Sequence, residues 1–283
     1  MYMLIKLKKI LLDLALLVVN KHIKNQKDIT LYVYNNKKDE LNPCNFRANS
    51  ITNLAPKLKP KTNNWGDLEK IIDLNNKVVF DIGANVGCTT NYFSKISKKV
   101  ISFEPDKNNF DLLNDQIRIR QLKNVETHNF AVSNISGYID FYSRNSNDIH
   151  SLGMHNKGKV IQTSSVQAIT LDSFWDSNSE KIGLLKIDVE GFEYEVLNGS
   201  SKLLSMGLIE AILFEYSPKI HKLRKIPINA PISFLKKYDY KIFNINGAEI
   251  SEDDLEGIKV CDLIALNPEH PFILNNEDFP PFH

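Results

Sequence analysis

Cysteine is scarce in this chain. Cys44, Cys88 and Cys261 are the three among 283 residues, and they lie far apart. An odd number without metal-ligand spacing argues against both a disulfide framework and a zinc site, and fits a reducing compartment such as the cytoplasm. Charge of one sign is also lacking, because 35 Lys and Arg stand against 34 Asp and Glu, a formal net charge of +1. A nucleic-acid-binding protein usually carries a clear basic excess, so no nucleic-acid partner is expected. No apolar run near the N-terminus is long enough to span a bilayer, which takes roughly 20 residues. The run Ile10–Val19 falls short and contains Asp13. Internal repeats are absent as well. What is present, 42% hydrophobic and 24% charged residues, is ordinary globular composition. The length suits one large domain, or one domain with extensions.

The N-terminal segment has a pattern of its own. Lys6, Lys8 and Lys9 precede the apolar run, and Leu4, Leu7, Leu11, Leu14 and Val18 fall on one helical face. Lys6, Lys9 and Asp13 lie on another face, blurred further on by Leu16 and Leu17. Three roles fit this helix. It can pack on the main domain, or lie on a membrane surface through residues 3–22, at the inner face of the membrane. A signal peptide is the third, opposed by Asp13 and by the lack of a small-residue cleavage site. Residues 1–75 are read as a mixed N-terminal extension, 76–267 as the main domain, and 268–283 as a proline-bounded tail.

From Lys77 the pattern becomes regular. "KVVFDI" is a near-continuous apolar run, as in a strand covered on both faces. "CTTNYFSKIS" predicts a helix, "VISFE" a second strand, and the stretch from Pro105 to Leu122 a second helix. "VETHNFAV" predicts a third strand, and "GYIDFYS" and "VIQTSSVQAI" add β segments around a polar loop, Arg144 to Gly158. "IGLLKID" is the next apolar strand, followed by one helix over "EGFEYEVLNGSSKLLSMG" that ends near Gly207. "IEAILFEY" is a strand, "PISFLKKY" a helix, and "YKIFNI" and "VCDLIALN" are closing strands. Strands alternating with helices predict an α/β fold with a largely parallel sheet. The short polar link from Asn246 to Lys259 suits an antiparallel pair, which places one antiparallel strand near an edge.

In open α/β sheets the ligand lies beyond the carboxyl ends of the strands. "DIGANVG" stands at such an end. Gly83 and Gly87 let the backbone turn and approach a ligand, and Asn85 is among the side chains that best tolerate positive φ. A dinucleotide site wants G-x-G-x-x-G with pyrophosphate at the helix start. Here the spacing is G-x-x-x-G, and Asp81 stands just before it. A carboxylate there is awkward for pyrophosphate and suits a cationic ligand such as S-adenosyl-L-methionine, with its sulfonium and α-amino groups. Glu104, at the tip of "VISFEPD", can accept the ribose hydroxyl protons, and the amide of Asn129 can read an adenine edge.

With these residues in place, the chain resembles the FkbM-type methyltransferases, a branch of the class I S-adenosylmethionine-dependent enzymes. "VFDIGANVGCTT", "ISFEPD", "NFAVSN", "TLDSFW" and above all "LLKIDVEGFEYEVLNG" carry the likeness, which runs from about Lys77 to about Asn244. The resemblance implies a Rossmann-like fold with a seven-stranded, mostly parallel sheet and helices on both faces. It implies O-methylation of sugar or other natural-product hydroxyls, and so a small-molecule or glycan acceptor. It also supports Asp81, Gly83, Asn85, Gly87, Glu104 and Asn129 as the cofactor-binding set.

Asp188 ends the strand "LLKID" and Glu190 follows it, and both point toward the methyl group's expected position, where a carboxylate can take the proton of a reacting hydroxyl. They are the catalytic candidates, with helix capping as the competing role. A divalent ion held by both acids is a further variant, for which no third ligand is identified. Glu215 is a third acid at a strand tip, Glu193 a helical residue near the site, and Glu195 one expected to face solvent. His150, His155 and His221 are weaker candidates for the base. Two other roles are carried beside the enzyme: a non-catalytic module that retains the fold, and an NAD-dependent oxidoreductase.

Overall fold

The computed structural model describes residues 28–35, 40–47, 68, 71–144, 160–245, 247–255 and 260–269. The predicted N-terminal helix, His150, His155 and the C-terminal tail lie outside these. The chain divides into two compact units, Met1–Thr62 and Asn63–His283. In the first, β1 (Asp28–Asn35) and β2 (Glu40–Arg47) pair antiparallel, with Leu31 opposite Cys44. The first was expected from its alternation, and the second was not.

The second unit is built on a seven-stranded sheet. Its strands are β3 (Val78–Ile82), β4 (Lys99–Phe103), β5 (Val125–His128), β9 (Ile182–Ile187), β10 (Ala211–Tyr216), β11 (Lys241–Asn244) and β12 (Cys261–Leu266). The order is β11-β12-β10-β9-β3-β4-β5. Parallel pairing runs from β10 through β9 and β3 to β5, whereas β12 is antiparallel to both β10 and β11. The antiparallel strand therefore sits one place in from the edge. The order reverses at β3, so the crevice of an open sheet falls between β3 and β9.

Burial explains the apolar runs. Every residue of β3 and β9 is buried, as in strands covered on both faces. One face carries Phe80, Ile101, Leu185, Phe214 and Leu263, packed against α4 (Glu193–Asn198), α5 (Ser201–Ser205) and α7 (Ala230–Lys236) through Val196, Leu197, Leu204 and Ile232. The other carries Val79, Val100, Leu184, Leu213 and Ile264, packed against Leu68, Ile71 and Ile72, which precede β3, and against Phe93 of α1 (Cys88–Ile96). Each such side chain, removed from water, contributes about 1.5–3 kcal/mol before conformational entropy is set against it. Helix α2 (Lys107–Arg120) starts at Asp106, whose side chain accepts from the backbone N–H groups of Asn108 and Asn109.

Two predicted elements are broken. "VETHNFAV" is not one strand. β5 ends at His128, and β6 (Ala131–Val132) joins a separate sheet in the order β6-β8-β7, with β7 (Gly137–Arg144) and β8 (Val160–Ile169) antiparallel. The single helix expected over 190–207 is two, α4 and α5, parted at Gly199 and Ser200. A Cβ on Gly199 would lie 2.0 Å from the Ser133 carbonyl oxygen, so the chain is pressed against a distant loop there. Two short helices were not foreseen: α3 (Leu171–Phe174), capped by Thr170, and α6 (Pro218–Leu223), begun by Pro218.

Candidate active site

The glycine turn leaves β3 and is fastened to β4. The backbone N–H groups of Gly83 and Ala84 both donate to the Phe103 carbonyl, each at 3.0 Å. Gly83 has φ 77°, and an added Cβ would lie 1.9 Å from the Asp188 carbonyl oxygen. No other residue fits there. Asn85 takes φ 51°, as its tolerance of the left-handed region allows, and its N–H donates to Glu104 Oε2 at 2.8 Å. Asn85 Oδ1 is buried without a hydrogen-bond partner among the described residues. A buried acceptor lacking a protein donor suits a ligand that brings one.

Glu104 is 4% exposed at the tip of β4. Its Oε1 accepts from Asp106 N–H at 2.9 Å, opposite the bond to Asn85. Burial pushes its carboxyl up to about 7, against the downward pull of these two bonds. Asn129 stands at the third strand end as expected, but its Nδ2 donates to the carbonyls of Glu104 at 2.8 Å and Pro105 at 3.1 Å. Those bonds brace the β4 tip and leave the amide nitrogen no hydrogen for a purine.

Asp81 differs most from its expected role. It is fully buried, with Oδ2 accepting from Thr90 Oγ1 at 2.7 Å and Thr90 in turn bonded to Ser102 Oγ at 2.9 Å. Its Oδ1 faces the ammonium of Lys186 at 3.2 Å, an ion pair without hydrogen-bond alignment. Lys186 lies opposite Asp81 in the β3–β9 register, so the two share a face. Lys186 Nζ also donates to the Gly83 carbonyl at 3.2 Å and lies 3.6 Å from Asp188 Oδ2. Burial, the largest influence, would lower the lysine, but Asp81 and Asp188 outweigh it and hold the group above its ordinary value. The ammonium therefore stays charged. The sequence signal for Lys186 is a single charge inside an apolar strand, two residues before Asp188.

The tip of β9 carries the candidate catalytic group. The Asp188 side chain is 48% exposed, while its N–H donates to the Ile82 carbonyl at 3.0 Å. The N-cap position of α4 is Phe192, two residues past Glu190, and Phe192 makes no side-chain cap bond. Glu190 is partly buried with φ 54° in the tight turn that Gly191 completes. Glu193, 1% exposed, holds that turn from behind, its Oε1 accepting from the N–H groups of Gly191 at 3.0 Å and Val189 at 3.3 Å. Burial first, with the Glu215 and Asp188 charges adding, pushes Glu193 up to about 8.

Arg224 pins the same turn from the far side. It donates to the Gly191 carbonyl and to both oxygens of Glu195, and lies 3.6 Å over the Phe192 ring. Glu195 is thus a largely buried ion-pair partner and does not face solvent as expected. Glu215 and Asp262 lie opposite each other across β10 and β12, on the face that Asp188 shares. His221 is fully buried edge-to-face with Tyr216, and burial holds it below the ordinary imidazole value, which removes it from the site. No group of three His, Cys, Asp or Glu among the described residues can hold a metal ion. Nor is any helix among them long and apolar enough to cross a membrane.

The arrangement offers a buried carboxyl and an orphaned amide oxygen beside a glycine turn, with a half-exposed carboxylate next to it. That set fits a nucleoside carrying a cationic group. A family model described as a methyltransferase FkbM domain matches residues 81–242. Among solved structures, a methyltransferase FkbM from Methylobacillus flagellatus is similar with a TM-score of 0.44 and 16% identity, over 68% of this chain and 43% of that one. The chain thus spans less than half the length of that protein. A precorrin-6y C5,15-methyltransferase from Geobacter metallireducens is similar with a TM-score of 0.43 and 13% identity, over 75% of this chain and 92% of that one. No curated protein matches.

Proposed function

The chain belongs to the FkbM methyltransferase family, whose cofactor is S-adenosylmethionine, and from that premise we propose that it methylates a hydroxyl group of a sugar or glycan. One observation carries the choice of oxygen as the acceptor. The backbone carbonyl of Asp188 lies against Gly83 of the cofactor turn, and its carboxylate is half exposed, where an incoming hydroxyl can reach it.

S-adenosylmethionine supplies an electrophilic methyl group when bound. Asn85 and Glu104 would hold its nucleoside, with the glycine turn admitting it closely. What the protein adds for the acceptor is alignment and a place for the proton. An alcohol loses its proton as the new carbon–oxygen bond forms, and Asp188 accepts it, an effect typically worth about 10²–10⁴ in rate. Holding the oxygen in line accounts for much of the rest. Asp188 then returns the proton to water, to which it is open. Glu215 and Asp262, partly buried on the same face, suit the neighbouring hydroxyls of a polyol because carboxylates accept from O–H donors. A location at the inner membrane face, with a lipid-linked glycan as acceptor, fits the amphipathic pattern of residues 3–22.

The test is incubation of the purified protein with methyl-labelled S-adenosylmethionine and a panel of sugar nucleotides, free glycans and lipid-linked glycans. Label in an alkali-stable methyl ether, abolished in Asp188→Asn, supports the proposal. Label on nitrogen or carbon of another acceptor class contradicts the choice of oxygen.

A further inference from the structure

Asp81 is the acid that the sequence places nearest the cofactor, yet it has no surface to offer one. It is fully buried, Thr90 holds one oxygen, and Lys186 stands before the other. Lys186 is itself 3% exposed and reaches from Asp81 to the Gly83 carbonyl and to within 3.6 Å of Asp188. One ammonium between two carboxylates leaves one negative charge uncompensated. Of the two acids, Asp188 alone is open to a ligand, at 48% exposure.

We propose that Asp81 and Lys186 are a positioning pair that never touches the cofactor, and that Asp188 is the carboxylate that meets the cofactor's positive charge. The pair has two effects. Asp81 neutralises the lysine, so that Lys186 does not cancel Asp188. Lys186 in turn ties the glycine turn to the strand that carries Asp188. The Asp81–Lys186–Asp188 group therefore keeps one negative charge, which favours S-adenosylmethionine over its product, S-adenosylhomocysteine, which lacks the sulfonium charge. Product release is helped by the same imbalance. This inference concerns the cofactor alone and does not depend on which acceptor is used.

The ratio of the two affinities measures that charge without an acceptor. In calorimetric titrations with S-adenosylmethionine and S-adenosylhomocysteine at about pH 6, any proton that Glu104 releases on binding the shared ribose cancels in the ratio, and Glu193, which burial pushes up to about 8, stays largely protonated. Asp188→Asn should lower the preference for the cation by roughly tenfold, the scale of one partly screened charge at contact range. Asp81→Asn should lower it similarly, because Lys186 is then left to neutralise Asp188. Adding Lys186→Met to Asp81→Asn should restore the preference to within about threefold of wild type, since Asp188 again stands uncompensated.

That rescue is the diagnostic result. A carboxylate of Asp81 in direct contact with the cofactor predicts the opposite, with the double variant as impaired as Asp81→Asn. If Asp81→Asn does not fold, the double variant, which buries no unpaired charge, still decides the matter. Retained preference supports the pair, and lost preference overturns it. An unchanged ratio in Asp188→Asn would also overturn it.

Discussion

The two acids at the ends of neighbouring central strands differ in nearly every physical respect. Asp81, on β3, is fully buried, with Thr90 and Lys186 against it, whereas Asp188, on β9, is half open. The contrast extends to their surroundings. On the β3–β4–β5 side the polar groups hold backbone: Glu104 accepts from Asn85 and Asp106, and Asn129 donates to Glu104 and Pro105. On the β9–β10–β12 side Asp188, Glu215 and Asp262 are only partly covered. A prebuilt half suited to the cofactor's nucleoside and a more open half, where Asp188 can face both the cofactor's charge and a variable acceptor, is the division expected when function sits in a site grafted onto a common fold. The proposed transfer to a hydroxyl needs an accessible acid, and of these two Asp188 is the open one.

The contrast can be broken from the open side first. Asp188→Asn should lower methyl transfer by about 10²–10⁴ while changing stability by no more than about 0.5 kcal/mol, as expected of a half-exposed site. Labelled transfer and a thermal melt on one preparation check both halves. Gly83→Ala attacks the join between the two sides. The added Cβ would meet the Asp188 carbonyl at 1.9 Å in a backbone with φ 77°, and should cost on the order of 3 kcal/mol and abolish cofactor binding.

The buried half should reveal itself through pH. Glu104 and Glu193 are raised from 4.5 to about 7 and about 8, so the folded protein holds their protons where the unfolded chain has released them. Stability is therefore greatest below about pH 4.5 as far as these two groups are concerned, and their contribution falls as pH rises through 7 and 8, by on the order of 3 kcal/mol for Glu104 and 5 kcal/mol for Glu193. Denaturant titrations across pH 5–9 measure the slope. Ribose hydroxyls donating to Glu104 need its carboxylate, so cofactor affinity should rise with pH up to about 7 and then level off, with proton release on binding below that point. A smaller effect sharpens the same side. Asn129→Ala removes the two bonds that brace the β4 tip and should cost about 1–2 kcal/mol, together with a modest loss of cofactor affinity.

Much of this was legible in the sequence, for a physical reason. Strands buried on both faces must be apolar throughout, so "VVFDI" and "IGLLKI" announce themselves. Left-handed turns need glycine or asparagine, which marked Gly83, Asn85 and Gly87. What was missed depends on distant contacts. The break at Gly199 follows from the approach of Ser133, and the short strand β6 exists because β8 lies beside it. The same holds for the charge of Asp81. Only the β3–β9 register shows that Lys186 stands opposite it, and no local pattern around residue 81 carries that information. The bracing by Asn129 was not legible for a related reason, because the carbonyls it bonds belong to residues 24 and 25 positions earlier.

Calorimetric titration of the wild-type protein with S-adenosylmethionine, S-adenosylhomocysteine and NAD tests the central claim most directly. Micromolar binding of the first two, with the cation preferred and no binding of NAD, is the predicted result. Binding of NAD with neither of the other ligands, by protein shown to be folded, would contradict it.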